Sequence, residues 1–257
     1  LFRSVLLTET SPYEVPIIFS NDGFYKNATQ FLKAKSHLHG FFGKIIAEQK
    51  YTVPLSYKIR KNEISWRVLS LLHPSSQWKM VEFYRDYSSL ISHYASRSRA
   101  SIRYPSKVGS TFFYDNPQAH KNKYKYFTID TLAKDRLVRN PASYFAYKGY
   151  DRLYKFFNSS QFLHLEKRFS CMWALDVAKC FDSIYTHSVS WALKTKPFSK
   201  KNLQAHTYGE RFDEVMRNSN YNETSGIVIG PEISRIFAET IFQEIDNSVI
   251  SKLERDG

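Results

Sequence analysis

Residues 171–187, which read CMWALDVAKCFDSIYTH, decide the fold. A period of two in the apolar positions predicts a β-strand over residues 172–178. Its buried face would carry the bulky side chains Trp173, Leu175 and Val177. Asp176 falls on the opposite face between two alanines, where a carboxylate has room to reach a metal or a substrate. Aspartate is depleted in strands, so its presence indicates either a function or a salt bridge, and the strand alone leaves both open.

A second informative stretch, residues 224–253, opens with an apolar loop bracketed by Gly226 and Gly230. Glycines let the backbone approach a flat ligand closely. Pro231 and Glu232 then stand where helix starts favour a proline and an acid, and apolar residues recur every three or four positions. This pattern predicts a long amphipathic helix.

Two further helical patterns flank the basic middle of the chain. One covers residues 78–94, after a start signal at residues 73–75, and an aromatic one covers residues 150–169. Helices separated by short strands indicate an α+β fold. Changes of pattern divide the chain into an N-terminal extension without an assigned role (1–50), a fingers-like basic region (51–170) and a palm-like region (171–257).

The charge points to a polyanionic partner. Lys and Arg number 37 against 24 Asp and Glu, a net charge of +13. Residues 97–155 hold thirteen basic residues against four acidic ones, interleaved with tyrosines. Such a surface grips phosphates and stacks bases, although a solvated basic face has the same composition.

Several classes of protein are disfavoured. Cys171 and Cys180 have neither a disulfide-framework nor a zinc-site spacing, and a surface pair is the simplest interpretation of His37 and His39. There is no Walker loop and no nucleophile elbow. No apolar run reaches the length of a membrane helix and no secretory leader opens the chain, so we expect a soluble cytoplasmic protein without a membrane partner.

Residues 175–187 (LDVAKCFDSIYTH) and 226–239 (GIVIGPEISRIFAE) together resemble the first two palm motifs of reverse transcriptases. The likeness is to the bacterial antiphage kind, the abortive-infection and defence-associated enzymes, with the class-three type as our specific guess. It implies the fingers and palm of a right-hand polymerase. It also implies an RNA-directed DNA polymerase that uses deoxynucleotides and an RNA template or non-coding RNA, makes DNA and works with a second protein subunit or by self-assembly.

The resemblance also implies roles for single residues. Asp176 and the backbone carbonyl of Val177 would bind catalytic Mg²⁺, or Mn²⁺ in its place, because such ions take oxygen ligands. Phe181 would lie beneath the incoming sugar as a steric gate against a 2′-hydroxyl, with an ordinary core ring as the alternative. Cys180 is expected to be a neutral, buried thiol.

The second motif differs from the usual Pro-Gln-Gly, since Val228, Ile229 and Gly230 occupy those positions. They remain our candidates for nucleotide contact, although the lost glutamine puts an ordinary grip on the templating base in doubt. Arg103 and Lys107 are candidates for the triphosphate or template backbone, with solvated charge as the alternative. For Arg235, a phosphate contact competes with a salt bridge to Glu239.

The third palm motif, Tyr-x-Asp-Asp, is absent, because no two aspartates are adjacent in the 257 residues. We therefore expect the chain to be truncated just before this motif. Two functions follow from the sequence: a DNA polymerase with two Mg²⁺ ions in antiphage defence, or a catalytically inactive nucleic-acid-binding or scaffold subunit of a defence ribonucleoprotein.

Overall fold

The expected α+β class is confirmed by a computed structural model, which describes residues 2–31, 49–109, 143–150, 153–201 and 207–256. The described strands form two antiparallel pairs, β1 (Leu55–Arg60) with β2 (Trp66–Leu71) and β3 (Arg103–Val108) with β4 (Phe145–Gly149). The described helices are α1 (Val5–Thr8), α2 (Asp22–Phe31), α3 (Pro74–Ala95), α4 (Leu153–Phe157), α5 (Ser160–Arg168), α6 (Cys180–Ser183), α7 (Ser188–Leu193), α8 (Lys196–Lys201), α9 (Tyr208–Asn218) and α10 (Glu232–Asp256).

Helix α3 lies at the centre of the core and confirms the predicted helix, with four more residues at its start and one at its end. Pro74 occupies its first turn, and the Nδ1 atom of His73 accepts a hydrogen bond from the backbone N–H of Ser75 at 3.2 Å. This cap satisfies one of the free N–H groups of the first turn. The side chains of Tyr84 and Ile91 are fully buried where α3 packs against α1, α9, α10 and β3.

Aromatic rings join α3 to α9 and α10. The ring centroid of Phe83 lies 4.7 Å from that of Phe212 and 5.9 Å from that of Tyr208. Phe212 in turn meets Phe237 edge-on at 4.8 Å. Each such pair adds about 0.5–1.5 kcal/mol beyond the area it buries. Because α10 directly follows the loop at residues 226–231, this packing also fixes the position of that loop.

The N-terminal extension takes part in the core. Val5, Leu6 and Glu9 are fully buried, and α1 packs against α3. The carbonyl of Glu9 accepts a hydrogen bond from the backbone N–H of Ile233 at 3.2 Å, in the first turn of α10. The start of the chain therefore lies against the glycine-bracketed loop and its helix, a role that the mixed periodicity of residues 1–50 does not predict.

A buried carboxyl group, that of Glu9, organises this junction. It accepts hydrogen bonds from the hydroxyl of Tyr84 at 2.9 Å, the hydroxyl of Ser143 at 2.9 Å and the backbone N–H of Tyr144 at 2.7 Å. Burial raises the pKa of Glu9 from 4.5 to about 7, the negative charge of Glu232 adds to the rise, and the three hydrogen bonds oppose it. Burial dominates because the charged form loses its hydration.

This shift predicts that stability falls as the pH rises. The unfolded carboxyl group releases its proton near pH 4.5, whereas the folded one keeps it up to about pH 7. The folded state therefore binds more protons across that window, and its contribution is complete below pH 4.5 and lost through pH 7. The shift corresponds to about 3 kcal/mol of unfolding free energy. We expect the wild type to unfold at a lower temperature at pH 8 than at pH 5.

The Glu9→Gln variant removes the titrating proton while keeping the shape, so its melting temperature should lose most of this pH dependence. Glu63→Gln, which changes an exposed glutamate of the β1–β2 turn, serves as the control and should retain the wild-type profile. Thermal unfolding followed by circular dichroism measures both. Identical pH profiles for Glu9→Gln and the wild type would refute the role of this carboxyl group.

The predicted strand at residues 172–178 is wrong. The structure describes an irregular segment there, and Trp173, Leu175 and Val177 are 87%, 90% and 54% exposed. Within the described ranges no strand pairs with this segment, so its backbone groups and bulky side chains face solvent. Alternation of apolar residues puts the bulky side chains on one face of a strand. That face is buried only where another part of the chain packs against it.

The aromatic pattern over residues 150–169 gives two short helices, α4 and α5, where one was predicted. The break falls at Asn158 and Ser159, and the Ser159 hydroxyl caps α5 by accepting from the backbone N–H of Phe162 at 3.2 Å. Neither helix buries a side chain. The long helix α10 is confirmed, and none of the described helices has the length and apolarity to cross a membrane.

Candidate active site

The two motif stretches lie side by side although about forty residues separate them in the sequence. Tyr185 and Ser225 form an isolated antiparallel bridge. Backbone hydrogen bonds extend the contact on both sides, from Thr186 N–H to the Thr224 carbonyl at 2.9 Å and from Gly226 N–H to the Ile184 carbonyl at 2.8 Å. Ile227 N–H also donates to the Phe181 carbonyl at 2.8 Å. The structure thus places residues 181–186 of the first stretch directly against residues 224–227 of the second.

Two backbone conformations make this approach possible. Gly226 has a φ of +84°, and a Cβ atom on it would lie 3.1 Å from the carbonyl oxygen of Asp182. Lys179 has a φ of 50°, which is rare for a residue with a side chain and turns the chain into the short helix α6. The absence of a side chain at Gly226 therefore lets the backbone of the first motif, at Asp182, approach closely.

Asp176 and Val177 lie on the exposed segment before α6. Partial burial of the Cys180 thiol raises its pKa, and the nearby negative charge of Asp176 raises it further. The raised pKa agrees with the neutral thiol expected of Cys180, although the side chain is only half-buried. Asp176 is exposed, and it forms no salt bridge within the described ranges.

The donor set suits a hard cation in part. Mg²⁺ takes oxygen ligands and keeps several waters, and the Asp176 carboxylate and Val177 carbonyl are ligands of this type. In the part of the chain that the structure describes, no three His, Cys, Asp or Glu residues converge on one point. These two residues therefore fit a fraction of a metal shell, and the assignment of Mg²⁺ stays a prediction.

Phe181 is half-buried and packs against the hydrophobic core. It lies in α6, and its carbonyl holds the second motif through Ile227. One part of the ring contacts the core and another part is open to solvent. Both interpretations of this ring, the steric gate and the core side chain, stay open on this geometry.

The second-motif loop is held by the chain on two sides. The side chain of Val228 is buried in the core, and the carbonyl of Ile229 accepts a hydrogen bond from Ser70 N–H of β2 at 3.0 Å. Gly230 has a φ of +126°, and a Cβ atom on it would lie 2.6 Å from Cγ of Pro12. The close approach allowed by this glycine is therefore used by the N-terminal segment.

Arg103 is engaged in a partly buried cluster at the start of α10. One of its guanidinium nitrogens lies 3.4 Å from a carboxylate oxygen of Glu232, and its Cζ atom lies 3.9 Å above the ring centroid of Tyr147. Tyr147 donates its hydroxyl to Glu232, and burial raises the pKa of that phenol well above its usual range. Contact with a triphosphate, still a prediction, would compete with this ion pair.

Of the two alternatives for Arg235, the salt bridge to Glu239 is wrong. Arg235 pairs with Glu232 at 3.1 Å, one turn earlier, while Glu239 accepts hydrogen bonds from Ser101 at 2.8 Å and Gln243 at 2.6 Å. Glu232 therefore accepts from Arg103, Tyr147 and Arg235, in a first helical turn that also favours a carboxylate. The two neutral donors leave Glu239 satisfied without a cation.

Lys107 is exposed on β3, next to the register shift where β3 pairs with β4. The remaining predictions for the basic segment fall largely on residues 110–142 and 151–152, which lie outside the described residues, as do His37 and His39. The sequence missed Glu9 and Pro12 as neighbours of the loop, since no local pattern links them to it. No family model matches the chain, and no curated protein matches it.

Proposed function

We propose that the chain is a reverse-transcriptase-like DNA polymerase of bacterial antiphage defence, which adds deoxynucleotides to a growing DNA strand. One observation carries the proposal: the Tyr185–Ser225 bridge and its flanking hydrogen bonds bring the two motif stretches together. A metal carboxylate and a nucleotide-contacting loop must lie close to each other in a polymerase. Proximity of these stretches is therefore what the resemblance requires.

The roles follow from residue type and exposure. Asp176 and the Val177 carbonyl would hold Mg²⁺ or Mn²⁺, which when bound activates the primer hydroxyl and stabilises the leaving pyrophosphate. The exposed Asp176 contributes fixed negative charge, and Phe181 limits the space at the sugar. Ile227 ties the second-motif loop to the Phe181 carbonyl, and Val228, Ile229 and Gly230, which follow it in the chain, are the proposed nucleotide contacts.

The proposed partners follow from the charge. A net charge of +13 favours a polyanion, here an RNA template or non-coding RNA together with the DNA product. The resemblance adds deoxynucleotides as substrates and a second protein subunit or self-assembly. We place the protein in the bacterial cytoplasm on the same basis.

The test is incorporation of labelled deoxynucleotides by the full-length protein with Mg²⁺ or Mn²⁺, in the presence and absence of an RNA template. We expect labelled DNA that depends on the metal and disappears with a chelator. A ribonucleotide-only control measures substrate choice. Failure to incorporate any deoxynucleotide under all of these conditions would contradict the polymerase.

The second candidate is a nucleic-acid-binding or scaffold subunit without catalysis. It is favoured by the metal ligands, because no group of three His, Cys, Asp or Glu residues that could hold a metal occurs in the described ranges, around Asp176 or elsewhere. The same assay separates the two candidates. Binding of nucleic acid without incorporation would favour the scaffold.

A further inference from the structure

The strands β1 and β2 form a two-stranded ribbon, residues 55–71, with two different faces. Tyr57 pairs with Leu69 on the inner face, where Leu69 is buried and the Tyr57 hydroxyl donates to the Glu14 carbonyl at 2.7 Å. Lys58 pairs with Val68 on the outer face, which is exposed. Directly paired residues of antiparallel strands share a face, so the pairs Lys58–Val68 and Arg60–Trp66 lie together on the outer face, towards the tip of the ribbon.

The ribbon is anchored at its base and ordered at its tip. Ser70 N–H donates to the Ile229 carbonyl at 3.0 Å, so the outer edge of β2 joins the second-motif loop. At the tip, the side-chain oxygen of Asn62 accepts from the backbone N–H of Ser65 at 2.7 Å and from that of Ile64 at 3.1 Å. A surface held at both ends can bind a ligand without the cost of ordering it first.

The outer face combines cations with a flat ring. Arg60 pairs directly with Trp66, which is 62% exposed, and Lys58 stands two residues before Arg60 on the same face. Lys61 follows in the turn and is also exposed. None of these three cations forms an ion pair with a carboxylate in the described ranges, and Arg60 instead donates to the backbone carbonyl of Glu63 at 3.2 Å.

We propose that this outer face binds single-stranded nucleic acid, with Lys58, Arg60 and Lys61 on phosphates and Trp66 stacked on an unpaired base. Cations without carboxylate partners attract a phosphate chain, and an exposed indole offers a stacking platform to any base. The cations of β1 and of the turn lie beside the Trp66 ring of β2, so a single nucleic-acid chain can reach both with its phosphates and a base. The partner is RNA or single-stranded DNA, which share this chemistry.

The proposal deepens the proposed function by giving the nucleic acid a binding site beside the second-motif loop. It rests on the proposed function only for the role of the bound nucleic acid as template or product. The test is binding of labelled oligo(U) and oligo(dT) at several salt concentrations, without metal or nucleotide. A duplex of the same length forms a third arm. The binding variant is Lys58→Gln, Arg60→Gln and Lys61→Gln together.

The matched control removes the same charge elsewhere, through Arg85→Gln, Arg211→Gln and Arg255→Gln, three exposed arginines outside residues 97–155 that pair with carboxylates. We expect the ribbon variant to weaken binding at least about tenfold at low salt and to reduce the log–log salt slope by about 2. The control variant should keep most of the binding affinity and most of the salt slope. Trp66→Leu should weaken binding about tenfold with little change in slope, and Trp66→Phe should restore part of it.

Equal losses in the ribbon and control variants would mean that net charge alone drives binding and would overturn the proposal. Unchanged binding in both, tighter binding of the duplex, or no binding by the wild type would overturn it as well. Stronger binding of oligo(U) than of oligo(dT) would identify RNA as the partner, and the reverse would identify DNA. Incorporation of deoxynucleotides is measured separately, so the ribbon and the polymerase can fail independently.

Discussion

Asp176→Asn is expected to abolish deoxynucleotide incorporation while leaving the fold unchanged. The substitution keeps the shape of the side chain and removes the negative charge that would hold the metal. Loss of this charge should lower kcat/KM at least about a thousandfold, since metal stabilisation of the transition state is worth several kcal/mol. Because the side chain is exposed and makes no ion pair in the described ranges, the unfolding free energy should change by less than about 0.5 kcal/mol.

The measurements are single-nucleotide incorporation and thermal unfolding on the same preparations. Asp86→Asn is the matched control: it makes the same chemical change at an exposed aspartate on α3, where Asp86 pairs with Arg85. This control should retain activity. Equal activity in Asp176→Asn and the wild type would remove Asp176 from the site, and a large fall in melting temperature would show that the residue has a structural role.

The helices were predictable because their signals are local. His73 and Pro74 mark the start of α3, and Pro231 and Glu232 mark the start of α10. In the structure each helix begins at its own signal. Caps and first-turn preferences act within a few residues, so the sequence carries them complete. The apolar repeat that follows each start then identifies the face that packs in the core.

The strand at residues 172–178 was not predictable in the same way. Its alternation is real, but Trp173 and Leu175 are exposed because no described segment covers them. The pairing of β1 with β2 places Lys58, Arg60 and Trp66 on one exposed face, and no pattern in either strand alone shows that arrangement. Pairing partners are set by tertiary structure, which is why sheets are harder to derive than helices.

The candidate site was predictable in its sequence positions but only partly in its contacts. The resemblance named both motif stretches, and the structure places them together through Tyr185 and Ser225. It gave no sign that Glu9 lies against α10 or that Pro12 packs on Gly230. Those contacts join residues more than 200 positions apart, and no local preference encodes them.

Phe181→Ala is expected to collapse the discrimination between deoxynucleotides and ribonucleotides. If the ring lies beneath the sugar, alanine opens room for a 2′-hydroxyl, so kcat/KM for ribonucleotides should rise while that for deoxynucleotides falls only modestly. The fall is modest because the metal and triphosphate contacts do not involve the ring. The measurement is kcat/KM for a matched pair of nucleotides with the wild type and the variant.

The alternative makes an opposite prediction. Phe181 packs against the core, and if that packing is its whole role, Phe181→Ala should cost about 2 to 3 kcal/mol of unfolding free energy, less than a fully buried ring would. Both substrates would then suffer together, and their ratio would stay constant. Phe2→Ala is the control, because Phe2 is another half-buried ring packed against the core and should lose stability without any change in the ratio. A constant ratio in Phe181→Ala, combined with a loss of stability like that of Phe2→Ala, would assign Phe181 to the core and exclude the gate.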